Sequence, residues 1–218
     1  MDSKTLNSEP NLYFSVIIPT YNRKEILTRA IDSLISQTEK NWEAIIVDDG
    51  SNDNTFSHIS SYLEKDKRIK YIRQENVGAA LAKNKGIVSA SGKFLTFLDS
   101  DDEYLTTHLE SRKEILMKNT SVQFLYGGIK IIGSPFVPDR FDNQQKIHLD
   151  DCVIGGTFFI ERNLLISLKG FKDILIGEDA ELFDRLSCSK VAKLKTEQPT
   201  YVYRKDQDDS VTNSFMKS

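Results

Sequence analysis

The sequence predicts an α/β fold, a mainly parallel sheet flanked by helices, and three observations predict it. Two apolar runs, Phe14-Ser15-Val16-Ile17-Ile18 and Ala44-Ile45-Ile46-Val47, stop abruptly at Pro19 and at Asp48-Asp49-Gly50, the pattern of strands buried on both faces. Between them Ile26, Leu27, Ala30, Ile31, Leu34 and Ile35 recur at helical spacing, so the chain opens as strand, helix, parallel strand. Polar clusters then fall at the same end of successive strands: Pro19-Thr20-Tyr21-Asn22, Asp48-Asp49-Gly50-Ser51 and Asp99-Ser100-Asp101-Asp102. Open α/β sheets bind their ligands there, beyond the carboxyl ends of the strands.

The remaining elements follow in order. A helix carries Phe56, Ile59, Tyr62 and Leu63, a strand covers Ile69-Lys70-Tyr71-Ile72, a helix runs from Val77 to Ala90, and a strand from Lys93 to Leu98 ends in the acidic cluster. Strands alternating with helices imply a sheet covered on both faces. The second half is less regular: a helix from Thr107 to Asn119, strands at Gln123 to Tyr126 and Ile129 to Ile132, and a loop from Gly133 to Gln145 that contains Pro135 and Pro138. Gly155 to Ile160 is expected to return to the sheet, and Gly177-Glu178-Asp179 to open a helix carrying Leu182, Phe183 and Leu186. With no repeat, low-complexity tract or linker, the chain reads as one domain over residues 13–205, between polar tails at 1–12 and 206–218.

Composition narrows the function classes. The 218 residues are 39% apolar and 28% charged, an ordinary soluble make-up. A formal net charge of -3 argues against a nucleic-acid partner, and any nucleotide held here needs a metal to neutralise its phosphates. Cys152 and Cys188, far apart and in no ligand pattern, read as reduced, mostly buried thiols of a cytoplasmic protein. The polar segment Met1 to Asn11 lacks the apolar core of a signal peptide. No stretch approaches the ~18 apolar residues of a membrane span, so membrane contact is expected to be peripheral. His58, His108 and His148 show no ligand spacing and are assigned to surface or solvated loops.

The run Phe97-Leu98-Asp99-Ser100-Asp101-Asp102 ends an apolar strand in a burst of carboxylates. Crowded carboxylates repel, and a hard divalent cation that takes oxygen ligands and bridges to phosphate is the usual remedy. The same residues in isolation also suit an acidic turn that caps the next helix.

Five segments in order closely resemble glycosyltransferase family 2, whose domain has the Rossmann-like GT-A fold: Ser15 to Asn22, Val47 to Asp53, Glu75 to Gly86, Asp99 to Asp102, and Gly177 to Asp179. The resemblance extends from residue 14 to about 204. It implies that Pro19, Tyr21 and Asn22 lie at the nucleotide, with Tyr21 against the uracil and Asp49 accepting from its ring N–H. It places Asn76, Gly78, Lys83 and Asn84 near the donor. Lys83, where many relatives have arginine, would make a point-charge contact to the diphosphate. Asp99, with Ser100, would sit near the ribose, and Asp101 on a Mn2+ or Mg2+ ion that stabilises the departing nucleoside diphosphate. Asp102 is a spare carboxylate, assisting the site or capping the following helix. Asp179 would be the general base that takes the acceptor hydroxyl's proton in an inverting transfer.

Two departures qualify the match. The histidine that often follows the family's closing segment, here Tyr203-Arg204, is replaced by Asp206, Gln207, Asp208 and Asp209, leaving the last metal ligand open. The Gln-x-x-Arg-Trp signature of processive synthases is absent, and Trp42, the lone tryptophan, sits in the second strand. The reading is a transferase moving one sugar from a nucleotide-sugar, expected to be a UDP-sugar, to a saccharide or lipid-linked saccharide in bacterial surface-polysaccharide or cell-wall assembly, at the inner face of the membrane. The alternatives are an inactive saccharide-binding or nucleotide-sugar-binding module of the same fold, and a haloacid dehalogenase-type phosphatase. The latter would carry its D-x-D on the first strand, not the fourth.

Overall fold

The computed structural model describes residues 12–138, 145–174 and 177–205. The first half alternates as predicted: β1 (Phe14–Thr20), α1 (Lys24–Ile35), β2 (Trp42–Asp48), α2 (Thr55–Lys65), β3 (Ile69–Arg73), α3 (Ala79–Ser89) and β4 (Phe94–Phe97). There follow β5 (Glu103–Tyr104), α4 (His108–Lys118), β6 (Phe124–Tyr126), β7 (Ile129–Gly133), β8 (Phe136–Pro138), β9 (Lys146–His148), β10 (Phe159–Glu161), α5 (Arg162–Ser167), α6 (Glu178–Cys188), β11 (Lys193–Lys195) and β12 (Tyr201–Lys205).

Seven strands form the main sheet in the order β11-β6-β10-β4-β1-β2-β3. It is parallel except for β10, which runs antiparallel to β4 and β6. Side chains alternate across it: Phe14, Val16, Ile18, Ala44 and Ile46 pack on one face, Ile17, Ile45, Val47, Leu95 and Phe97 on the other. Both faces are therefore core, and each fully buried aliphatic or aromatic side chain contributes about 1.5–3 kcal/mol. A second sheet, β5-β12-β7, docks its central strand β12 beside the acidic end of β4, and β8 pairs with β9.

Several expectations need correction. The strand predicted from Gly155 begins only at Phe159, because Gly155–Thr157 forms a 3-10 turn. The expected loop after Gly133 contains β8, which pairs with β9. Helix α3 starts at Ala79, not Val77, because the Val77 and Gly78 amides are tied down elsewhere and Gly78 has a φ of 97°. His108 is fully buried in α4, stacked on Tyr104 and bonded through Nδ1 to Thr200, and burial beside Arg112 drives its imidazole well below its ordinary pKa. Cys188 is exposed and Cys152 half-buried. Strands β11 and β12 and helix α5 had no sequence expectation. The predicted tails, 1–12 but for residue 12 and 206–218 with Asp206 to Asp209, lie outside the described residues, as do 139–144 of the predicted loop.

Candidate active site

The site forms where β1, β2 and β4 end. At the end of β1, Tyr21 is 44% exposed and Asn22 takes a left-handed turn with φ of 52°. The Asn22 amide donates to Ser51 Oγ at 2.9 Å, and Asn22 Oδ1 accepts from the Asn52 amide at 2.8 Å, so the turns after β1 and β2 are laced together. Asp53 accepts from the amides of Lys24 and Thr55, starting α1 and α2. Ser51 and Asp53 thus stabilise turns and helix starts. Asp48 Oδ1 accepts from the Ser51 amide and Oδ2 from the Tyr71 hydroxyl, and burial together with that carboxylate holds the Tyr71 phenol well above its usual range.

Asp49 is buried and holds three donors: Gln74 Nε2 at 2.8 Å, the Val77 amide at 3.0 Å and the Gly78 amide at 2.8 Å. Its carboxylate anchors the loop that carries Asn76 into α3. A carboxylate offers about four acceptor positions, so room remains for one further donor. Asn76 and Gly78 are exposed beside it, Pro19 is buried within β1, and Ser100 is buried behind Asp99.

Lys83 is 3% exposed, and Nζ lies 3.0 Å from Asp179 Oδ1 and 3.2 Å from Glu178 Oε1. Burial alone lowers an ammonium pKa, but Asp179, Asp99 and Glu178 outweigh it and hold Lys83 charged well above its normal range. The carboxylates of α6's first turn thus engage the lysine that the resemblance placed on a diphosphate. Asp179 Oδ2 accepts from the Gly155 amide at 3.1 Å. A Cβ on Gly155 would lie 2.3 Å from Asp179 Cγ, so only glycine allows this approach. Burial, with Asp179 and Asp101 adding repulsion against the pull of Lys83, pushes the Asp99 carboxyl up to about 6.

Asp101 meets two arginines that the sequence reading passed over. Arg23 Nη1 lies 2.7 Å from Asp101 Oδ2, and Arg29 Nη2 donates to the Asp101 carbonyl at 2.5 Å. Arg23 directly follows Tyr21 and Asn22 in the turn after β1, and that adjacency was the available signal. Asp102 caps no helix. It is buried, accepting from the Tyr201 hydroxyl at 2.6 Å and the Arg204 amide at 2.8 Å, and so fastens the acidic turn to β12. Tyr201 in turn lies over Gly156, where a Cβ would stand 2.2 Å from its hydroxyl. The 3-10 turn of Gly155 and Gly156 therefore touches both Asp179 and the partner of Asp102.

Asn84 is occupied structurally: Nδ2 donates to the Phe171 carbonyl and Oδ1 accepts from the Phe171 amide, both at 2.8 Å. Both ends of its amide clamp the turn at Phe171, which leaves one N–H and one acceptor position of the amide for the expected donor contact.

Among the described residues, no group of three or more His, Cys, Asp and Glu is arranged to hold a metal. Magnesium and its analogues are commonly held by one or two carboxylates plus substrate phosphates. Asp101 beside Asp99, whose carboxyl is raised first by burial and then by Asp179 and Asp101, fits that donor set.

Comparison with known proteins bears on the fold and the family. The family model described as glycosyl transferase family 2 matches residues 15–166. The chain is 38% identical over 157 residues to the Escherichia coli UDP-Glc:alpha-D-GlcNAc-diphosphoundecaprenol beta-1,3-glucosyltransferase WfgD, covering 69% of this chain and 61% of that protein. It is 32% identical over 215 residues to the Campylobacter jejuni GalNAc(5)-diNAcBac-PP-undecaprenol beta-1,3-glucosyltransferase, covering 94% and 68%. Among solved structures it superposes on the Pyrobaculum calidifontis mannosyltransferase PcManGT in complex with GDP-Man and Mn2+, with TM-score 0.70 and 17% identity, covering 95% of this chain and 61% of that one. The chain thus spans about 61% of the length of the first of these relatives. With the acidic end of β4 and the Glu178-Asp179 helix start set in a GT-A fold, the chain belongs to glycosyl transferase family 2.

Proposed function

We propose that the protein is a metal-dependent, inverting glycosyltransferase of hexosyl or N-acetylhexosaminyl type. It moves one sugar from a UDP-sugar to a lipid-linked saccharide in surface-polysaccharide assembly. One observation carries the reading: Asp179, held by Lys83 Nζ and the Gly155 amide, stands near enough to the acidic turn after β4 to act on Asp99 together with Asp101. A positioned carboxylate is what an acceptor hydroxyl needs. Asp179 takes the hydroxyl proton as that oxygen forms its bond to the anomeric carbon. The bond from that carbon to the phosphate oxygen breaks on the opposite face, and its electron pair leaves with the nucleoside diphosphate. A divalent cation at Asp101 supplies Lewis-acid stabilisation of that leaving group when bound. Tyr21 offers its exposed ring to the base, and Asp49 its remaining acceptor position.

The UDP-sugar donor and the lipid diphosphate acceptor rest on the named activities of the relatives. No helix among the described residues is long and apolar enough to cross a membrane. The lipid-linked acceptors named for the relatives support peripheral contact at the cytoplasmic face. The test is a panel of UDP-glucose, UDP-GlcNAc and GDP-mannose, each with Mn2+ or with chelator, presented with a short-chain lipid-diphosphate GlcNAc acceptor. Transfer from a UDP-sugar only with metal is the expected result. Binding without turnover of any donor would favour the inactive-module reading, and transfer from GDP-mannose alone would overturn the assignment of Asp49.

A further inference from the structure

Asp101 carries a second cation in addition to any metal. Arg23 Nη1 stands 2.7 Å from Asp101 Oδ2, and both side chains are largely buried, at 12% and 20% exposure. The contact is built in. Asn22's left-handed turn, pinned by Ser51 Oγ, and the Lys24 amide, pinned by Asp53, fix the backbone on both sides of Arg23. Arg29 holds the Asp101 carbonyl from the next turn of α1, so the carboxylate is presented to Arg23 by a fixed backbone. The planar guanidinium thus sets a positive charge directly against the Asp101 carboxylate.

We infer that Arg23 makes metal binding at Asp101 conditional on the nucleoside diphosphate. This rests on Asp101 being the metal ligand, as proposed above. A divalent cation arriving alone at this carboxylate meets a fixed positive charge at short range and is repelled. The diphosphate brings negative charge that compensates both cations, and a guanidinium at the metal carboxylate is placed to donate to phosphate oxygens. Metal and nucleotide then bind as a pair, each raising the affinity of the other by one common factor. Lys83 is ion-paired with Asp179 and Glu178, and Arg23 is the cation paired with Asp101 itself.

The test measures Mn2+ binding to the whole protein by the resonance signal of free Mn2+, with and without UDP, in wild type, Arg23→Gln, Arg23→Lys and Asp101→Asn. Arg23→Gln should bind Mn2+ alone at least about tenfold more tightly, since a unit charge pair about 4 Å apart changes an equilibrium by roughly fivefold in bulk water and about a thousandfold near a protein surface. The factor by which UDP strengthens Mn2+ binding should fall about tenfold in the same variant. Arg23→Lys keeps the charge and should stay close to wild type, which a merely structural role for the guanidinium would not produce. Unchanged or weaker binding of Mn2+ alone in Arg23→Gln, or Arg23→Lys behaving like Arg23→Gln, overturns the inference. Asp101→Asn separates the two levels. If it leaves Mn2+ binding with UDP intact, the metal site itself is wrong. If it abolishes that binding while Arg23→Gln changes nothing, only the role of Arg23 fails.

Discussion

Lys83 and Asp179 stand 96 positions apart in the chain and meet at 3.0 Å, the ammonium of α3 against the first turn of α6. This ion pair joins the nucleotide half of the fold to the helix that carries the proposed base. Removing one partner of a buried ion cluster leaves uncompensated charge, at a cost of about 3–5 kcal/mol. Lys83→Met keeps the shape and removes the charge, so urea unfolding should show a loss of that order. A loss below about 1 kcal/mol would show that the three carboxylates around Lys83 do not depend on it.

Gly155 sets the position of Asp179 by lacking a side chain. In Gly155→Ala the new Cβ displaces a carboxylate 2.3 Å away, while the nucleotide side at Tyr21 and Asp49 is untouched. Misplacing a reacting group by about 1 Å costs on the order of 10²-fold. Steady-state kinetics should show kcat reduced by about that factor with the donor KM near wild type. Equal loss in both would mean that the turn supports the whole site.

Asp49 links base recognition to loop order. Asp49→Ala should weaken UDP binding at least tenfold and speed hydrogen exchange at the Val77 and Gly78 amides, which lose their acceptor. Calorimetry and amide exchange on one sample check both. Unchanged UDP affinity with faster exchange would leave Asp49 a purely structural anchor.

His108 predicts an acid limit. Burial and Arg112 lower its folded pKa well below 6.5, so the unfolded chain binds the proton more readily. The stability from this group is complete above about pH 6.5 and is lost as pH falls below it, at about 1.4 kcal/mol per pH unit. His108→Gln should remove that component of the slope in urea unfolding between pH 7.5 and 5.5. An unchanged slope would show that other groups set the acid limit.

His108 also shows which kinds of position the sequence conceals. The strands of the first half were legible because Phe14 to Ile18 and Ala44 to Val47 are buried on both faces and so are apolar but for Ser15. A histidine buried by Phe159 and Tyr201, besides its near neighbour Tyr104, has partners that come from two distant segments. The clamp that Asn84 makes on the Phe171 backbone was equally hidden, because its partner lies 87 positions later in the chain. The acidic end of β4 and the helix start at Glu178 were legible because their chemistry is local. The arginines on Asp101 and the glycines under Asp179 and Tyr201 became visible only with the tertiary fold. The strand predicted from Gly155 failed for the same reason, since the turn there is shaped by Asp179 and Tyr201.

The central claim is that Asp179 is the base of an inverting transfer. Asp179→Asn preserves the shape and removes the proton acceptor. The direct test measures binding of a UDP-sugar with Mn2+ and transfer to a lipid-diphosphate saccharide on the same preparation, with the product's anomeric configuration read by NMR. Binding should stay within a few-fold of wild type while transfer falls by roughly 10²–10⁴-fold, and the wild-type product should carry the anomer opposite to the donor's. Near-normal turnover in Asp179→Asn, or a product that retains the donor's configuration, would contradict the account.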